Sequence, residues 1–249
     1  MNSPAGDLEA RVAELERQVA ELRRQLAKLG GAAESIWPDD GFNYLAIGNS
    51  LTRHGINAYW WNDIGMAASD AEHDYFHLVC AGLRRRFGKV AARAVNFSIW
   101  ERTGHDRDQS LSDLDGLLDE RLSLVTVQLG ENVRDYTAYA ADYVSLLRHI
   151  GRKTGGRARI IVIGKFWSED EVRSAAAAAV GAEYLSLKAA HGNPQYQSRL
   201  GAVVFDAEGK EHVIEHAGVA SHPGDAGMAF IADAVLGIAL SPRPGARSN

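Results

Sequence analysis

The 249-residue sequence predicts a three-layer α/β/α domain on a five-stranded parallel sheet, preceded by a coiled-coil helix. Three observations carry that expectation: strand-like and helix-like runs alternate from Gly41 onward, an abrupt Gly48-Asn49-Ser50 turn ends the first strand, and heptads fill the N-terminal arm. Strands alternating with helices call for a parallel sheet covered on both faces, and right-handed crossovers make three layers the economical topology.

Residues 1–31 come first. Leu8, Val12, Leu15, Val19, Leu22, Leu26 and Leu29 recur at alternating spacings of four and three among good helix formers. Val12, Val19 and Leu26 fall at a, with Leu8, Leu15, Leu22 and Leu29 at d. β-Branched residues at a with leucine at d favour two parallel strands, so a homodimer through residues 8–29 is expected. Gly30-Gly31 ends the helix, residues 32–41 form a linker, 42–241 the folded domain and 242–249 a tail.

Within the domain the expected strands are Asn43–Ile47, Ala94–Ser98, Leu122–Leu129, Arg159–Ile163 and Glu183–Leu187. The expected helices are Ala71–Phe87, Leu111–Leu118, Tyr136–Ile150, Asp170–Ala179 and Asp225–Leu240. Residues 202–215 break this rhythm as a β-hairpin turning on Asp206-Ala-Glu-Gly-Lys210, placed to wall or cover a pocket.

Composition excludes several classes. A formal net charge of -5 leaves no electrostatic footprint for nucleic acid or an anionic membrane. Cys80 stands alone, so there is no internal disulfide and no cysteine metal cluster. Alternating charges occupy the N-terminus where a secretory signal would be apolar, and a cytoplasmic location is the expectation. His73 and His77 have zinc-helix spacing, but Asp74 stands where the chemistry wants Glu, so neither metal nor other cofactor is expected.

Polar signals cluster at the ends of strands. They are Gly48-Asn49-Ser50, then Asn96-Phe97-Ser98, then Gly130-Glu131-Asn132, and finally Ser221-His222-Pro223 before the last helix. A parallel sheet puts these junctions on one side. In this order the blocks resemble the SGNH branch of the GDSL-type serine esterases and lipases, over roughly residues 42–240. That resemblance implies Ser50 as nucleophile and His222 as base, with an oxyanion hole from Ser50 and Ser98 N–H groups and the Asn132 amide. It implies a small acyl ester substrate, commonly an acetyl group on a carbohydrate. Trp60, Trp61 and Trp100 are candidates to stack on a sugar, and Arg53 and His54 to contact a polar substrate.

Three residues depart from the family's pattern. Asn49 replaces its Asp, Ser98 its Gly, and Val219 the catalytic Asp three residues before the histidine. His222 then needs another acceptor for Nδ1. A backbone carbonyl is the first candidate, giving a Ser-His dyad, with Glu215, Glu101 and Glu131 as alternatives. The expected activity is a serine esterase; acyl transfer on the same site, or a degraded domain serving assembly, are the competing readings.

Overall fold

The computed structural model describes Gln18, residues 35–169 and residues 171–243. The heptad arm falls outside the described residues, apart from helical Gln18. The expected five-stranded parallel sheet is present. Its strands are β1 (Phe42–Gly48), β2 (Val90–Asn96), β3 (Leu124–Gln128), β4 (Arg159–Ile163) and β5 (Glu183–Leu185), in spatial order β2-β1-β3-β4-β5 with parallel pairings throughout.

The pleat divides the core between two faces, because successive side chains of a strand point in opposite directions. Tyr44 and Ala46 face one way, toward α1 (Tyr75–Phe87) and the C-terminal helix. Leu45 and Ile47 face the other way, toward Trp100 and the helices that follow β3 and β4. All four are fully buried, as expected of a strand covered on both sides.

β2 begins four residues earlier and ends two residues earlier than the sequence pattern placed it. Phe97 and Trp100 are apolar not because they extend the strand but because they open α2 (Ser98–Arg102), which buries Trp100 against Tyr139 and Tyr143. The chain continues through α3 (Arg107–Ser110) and a 3-10 turn at Leu111–Leu114, where a longer helix was expected; Asp115-Gly116 ends it. α4 (Tyr139–Lys153) and α5 (Glu171–Val180) cover the same face as Trp100. An antiparallel hairpin of β6 (Val203–Phe205) and β7 (Glu211–Val213) follows. It is tied down by the Phe205 N–H donating to the Ser69 carbonyl at 2.7 Å and by Trp61 stacking on His212. A short turn, α6 (Ala217–Ala220), then leads to α7 (Asp225–Ala239), which packs beside α1.

This order contains a topological switch point. From β1 the sheet continues to β2 on one side and β3 on the other, so the loops leaving these strands diverge and leave a crevice at their C-terminal ends. The register levels those ends, pairing Gly48 with both Asn96 and Gln128. Among the described residues no helix is long and apolar enough to cross a membrane.

Candidate active site

Gly48 is the last residue of β1, and a Cβ there would lie 1.9 Å from the Thr52 hydroxyl, so only glycine permits this tight exit. The turn folds back through Thr52 and Arg53 N–H groups donating to the Asn49 carbonyl, both at 3.0 Å. Asn49 is fully buried, and its Oδ1 accepts the Leu51 N–H at 3.1 Å. Ser50 is thereby left at the crevice with its side chain pointing out of the turn.

His222 meets it there. Ser50 Oγ lies 2.8 Å from His222 Nε2, although 172 residues separate them in the chain. The loop carrying His222 is braced on both sides. Its carbonyl accepts the Ser198 N–H at 2.8 Å, and Trp167 Nε1 donates to the Ser221 carbonyl at 2.9 Å. The Trp167 ring meets the imidazole edge-on, 5.3 Å between centroids.

The other ring nitrogen settles the tautomer. His222 Nδ1 donates to the Gly218 carbonyl at 2.6 Å, and a carbonyl only accepts, so the proton sits on Nδ1 and Nε2 is free to accept from Ser50. The one turn of α6 creates this contact by presenting the carbonyl four residues before the histidine. Glu215, Glu101 and Glu131 do not take that role. Glu215 is exposed, while the other two side chains bond elsewhere as described below. Val219, three residues before the histidine, is fully buried and apolar.

With no carboxylate beside it, the imidazolium is poorly solvated. Burial pulls the His222 pKa down to about 4, with the Gly218 carbonyl opposing and the charge of nearby His54 adding to the fall. At neutral pH the ring is an uncharged base.

The opposite wall comes from the exits of β2 and β3. Gly130 has φ 123°, and a Cβ on it would strike Tyr139 and Arg173, so the Gly130-Glu131-Asn132 turn packs where a larger residue has no room. Glu131 turns inward, accepting from the Phe166 N–H at 2.9 Å and pairing with buried Arg173; burial raises its pKa and Arg173 opposes the rise. Asn132 is exposed and lines the cleft. Its Nδ2 donates to Glu101 Oε2 at 2.6 Å and its backbone N–H to Glu101 Oε1 at 3.3 Å.

Ser98 differs from expectation. Its N–H is taken by Asn96 Oδ1 at 3.0 Å, an Asx turn that opens α2, and so it is not a free oxyanion donor. What Ser98 offers the cleft is its hydroxyl, which has no hydrogen-bond partner among the described residues. The Ser50 N–H is likewise without an acceptor among them.

Ser50, Ser98, Asn132 and His222 share a cleft of about 490 Å³. Tyr59, His54, Arg102 and His216 line it too, with Tyr59 stacked on His216 at 4.3 Å; no carboxylate is among its lining residues. Of the residues expected to meet substrate, Trp60 and Trp100 are fully buried in the core, Trp61 stacks on His212, and Arg53 is held by both oxygens of Asp63. Tyr59 lines the cleft and Trp167 stands edge-on to His222, and no motif in the sequence pointed to either. His73 pairs with Asp70 and His77 with Asp74, each within one turn.

No protein-family model matches the chain, and no curated protein matches it by sequence. Solved structures do. A two-domain esterase active on acetylated mannans superposes with a TM-score of 0.51 at 13% identity, over 83% of this chain and 52% of that one. TesA gives 0.49 at 16%, over 81% and 99%. A member of the lipolytic protein G-D-S-L family from Veillonella parvula DSM 2008 gives 0.44 at 11%, over 79% and 97%. The chain thus spans about half the length of the mannan esterase. What is shared with the mannan esterase at such identity is the fold, the three-layer α/β/α arrangement on a parallel sheet.

Proposed function

We propose that the protein is a serine esterase that cleaves short acyl esters through a Ser50–His222 dyad. The observation carrying this is the 2.8 Å contact from Ser50 Oγ to an Nε2 whose proton-accepting state is fixed by the Gly218 carbonyl. A serine hydroxyl needs such a base to become a nucleophile at neutral pH. Ser50 Oγ attacks the ester carbonyl while its proton passes to His222 Nε2. The tetrahedral oxyanion is received by the Ser50 N–H, the Asn132 amide and the Ser98 hydroxyl. His222 then gives the proton to the departing alcohol oxygen, leaving Ser50 acylated. A water attacks the acyl carbonyl, its proton again taken by His222, which returns it to Ser50 Oγ as the bond to the acyl carbon breaks and the carboxylic acid leaves.

The lining of the cleft favours a short acyl group such as acetyl. Among its described lining residues Met66 and Val219 are the only aliphatic side chains, too few to sheathe a long hydrocarbon chain. Tyr59 at the cleft suits stacking on a sugar, which favours an acylated carbohydrate as the alcohol part. Residues 8–29 would join two chains, a state that sedimentation measures directly.

Labelling of Ser50 by a fluorophosphonate, with hydrolysis of 4-nitrophenyl acetate, tests the reading. Both are expected in the wild type and neither in Ser50→Ala. A wild type that does neither refutes it and favours a degraded, non-catalytic domain. Acyl transfer is separated by adding a sugar acceptor: hydrolysis yields free acid, transfer an acylated sugar.

A further inference from the structure

The cleft's oxyanion side rests on a residue deep behind it. Glu101, on α2, is fully buried, yet no Lys, Arg or His lies within ion-pair distance of it among the described residues. Four N–H groups converge on its carboxylate instead. Oε1 accepts from Asn49 Nδ2 at 3.0 Å, from the Asn132 N–H at 3.3 Å and from the Gly130 N–H at very short range, while Oε2 accepts from Asn132 Nδ2 at 2.6 Å. Every partner is a donor, so the group acts purely as an acceptor, and these are charge-assisted bonds.

Asparagine presents an oxygen and a nitrogen of nearly the same shape, and its neighbours decide which way it turns. A carboxylate at 2.6 Å tolerates only the nitrogen. Asn132 is therefore held with one Nδ2 hydrogen on Glu101 and the second available to the cleft. Reversed, its oxygen would face Glu101 and its N–H groups would leave their place. The same carboxylate also holds Asn49, one residue before the nucleophile. One buried charge thus ties the turn after β1 to the turn after β3. This relates two features of the sequence: the family's aspartate at position 49 would set a second carboxylate against Glu101, whereas Asn49 supplies a donor.

We propose that Glu101 is a positioning residue for the oxyanion hole, acting through Asn132 by fixing the orientation of its amide. The proposal rests on the esterase reading of Ser50 and His222. Glutamine at 101 has the same shape but cannot accept from all four donors, since its own amide hydrogens would oppose some of them.

The test is a double-mutant cycle on full-length protein with 4-nitrophenyl acetate, comparing Glu101→Gln, Asn132→Ala and the double variant. Glu101→Gln is expected to lower kcat by about tenfold to a hundredfold with KM little changed, the size of effect that misplacing a catalytic group has. In the Asn132→Ala background the same change should cost less than about threefold, because the residue it acts through is gone. An equal loss in both backgrounds, or wild-type kcat in Glu101→Gln, overturns the proposal. The Asn132 side-chain amide in the wild type, assigned by NMR against Asn132→Ala, is a second reading that needs neither a Glu101 variant nor activity. A strongly downfield, exchange-protected Nδ2 proton supports the proposal, and a free-asparagine shift overturns it. Failure of the esterase reading shows separately, as a wild type that hydrolyses no ester and reacts with no fluorophosphonate.

Discussion

The two walls of the cleft solve the same problem of holding a polar side chain in place, and they solve it oppositely. The base is oriented by an uncharged group, the Gly218 carbonyl, among surroundings that include buried Val219. The oxyanion side is oriented by a buried carboxylate, Glu101, that contacts Asn132 and not His222. Among the described residues no carboxylate stands beside the histidine on its wall, where Val219 lies three residues before it, and a charge stands behind the other wall instead. The difference teaches what each wall has to tolerate. An imidazole without a counter-charge stays neutral down to low pH, which keeps it a base but leaves its imidazolium weakly supported. A neutral amide never titrates, so it can be clamped by a charge without altering its own protonation.

Breaking either side at the reacting atoms gives the largest effect. Ser50→Ala and His222→Ala should each remove turnover of an aryl acetate to the background rate, measured in initial-rate assays on folded protein. Next comes the oxyanion wall, where Asn132→Ala should lower kcat by about 10²–10³-fold, with some loss of stability because Glu101 Oε2 loses its donor. Asn132 is exposed, so its removal leaves no cavity.

Moving charge between the walls sharpens the contrast. Val219→Asp introduces a carboxylate three residues before His222 and should raise the acid limb of the pH–rate profile by about 1–3 units, read from kcat/KM against pH. Asn49→Asp puts a carboxylate on Glu101 where a donor now sits 3.0 Å away. Two facing carboxylates repel once both are ionised, so the variant should lose stability relative to wild type as pH rises. Thermal unfolding at pH 5 and pH 8, compared with wild type at the same two pH values, checks the sign. The smallest expected effect is that of Trp167→Ala. It removes the edge contact and some of the desolvation at His222, and should lift the acid limb by less than about one unit.

Much of this architecture was legible in the sequence, and the gaps have physical causes. β1, β3 and β4 are buried on both faces, so their apolar runs are nearly continuous and mark themselves. β2 is an edge strand rich in alanine with Arg93 exposed, and the stronger apolar signal of Phe97, Ile99 and Trp100 beyond it belongs to a helix. The strand-end motifs named Ser50, Ser98, Asn132 and His222, and all four line one cleft. Roles that depend on a local turn were not legible. That Asn96 would occupy the Ser98 N–H follows from an Asx turn, and that Glu101 faces inward while Arg102 faces out follows from the phase of a five-residue helix. The tryptophans misled because aromatic residues serve the core far more often than a cleft.

The central claim is that His222 works as a base with no charged partner. The pH dependence of kcat/KM for 4-nitrophenyl acetate tests it most directly, since its acid limb reports the free-enzyme pKa of the essential base. A limb close to the value of about 4 set by burial is the predicted result. A limb at the ordinary imidazole value of 6.5 or above would mean that burial without a counter-charge does not set the base, and would contradict the account.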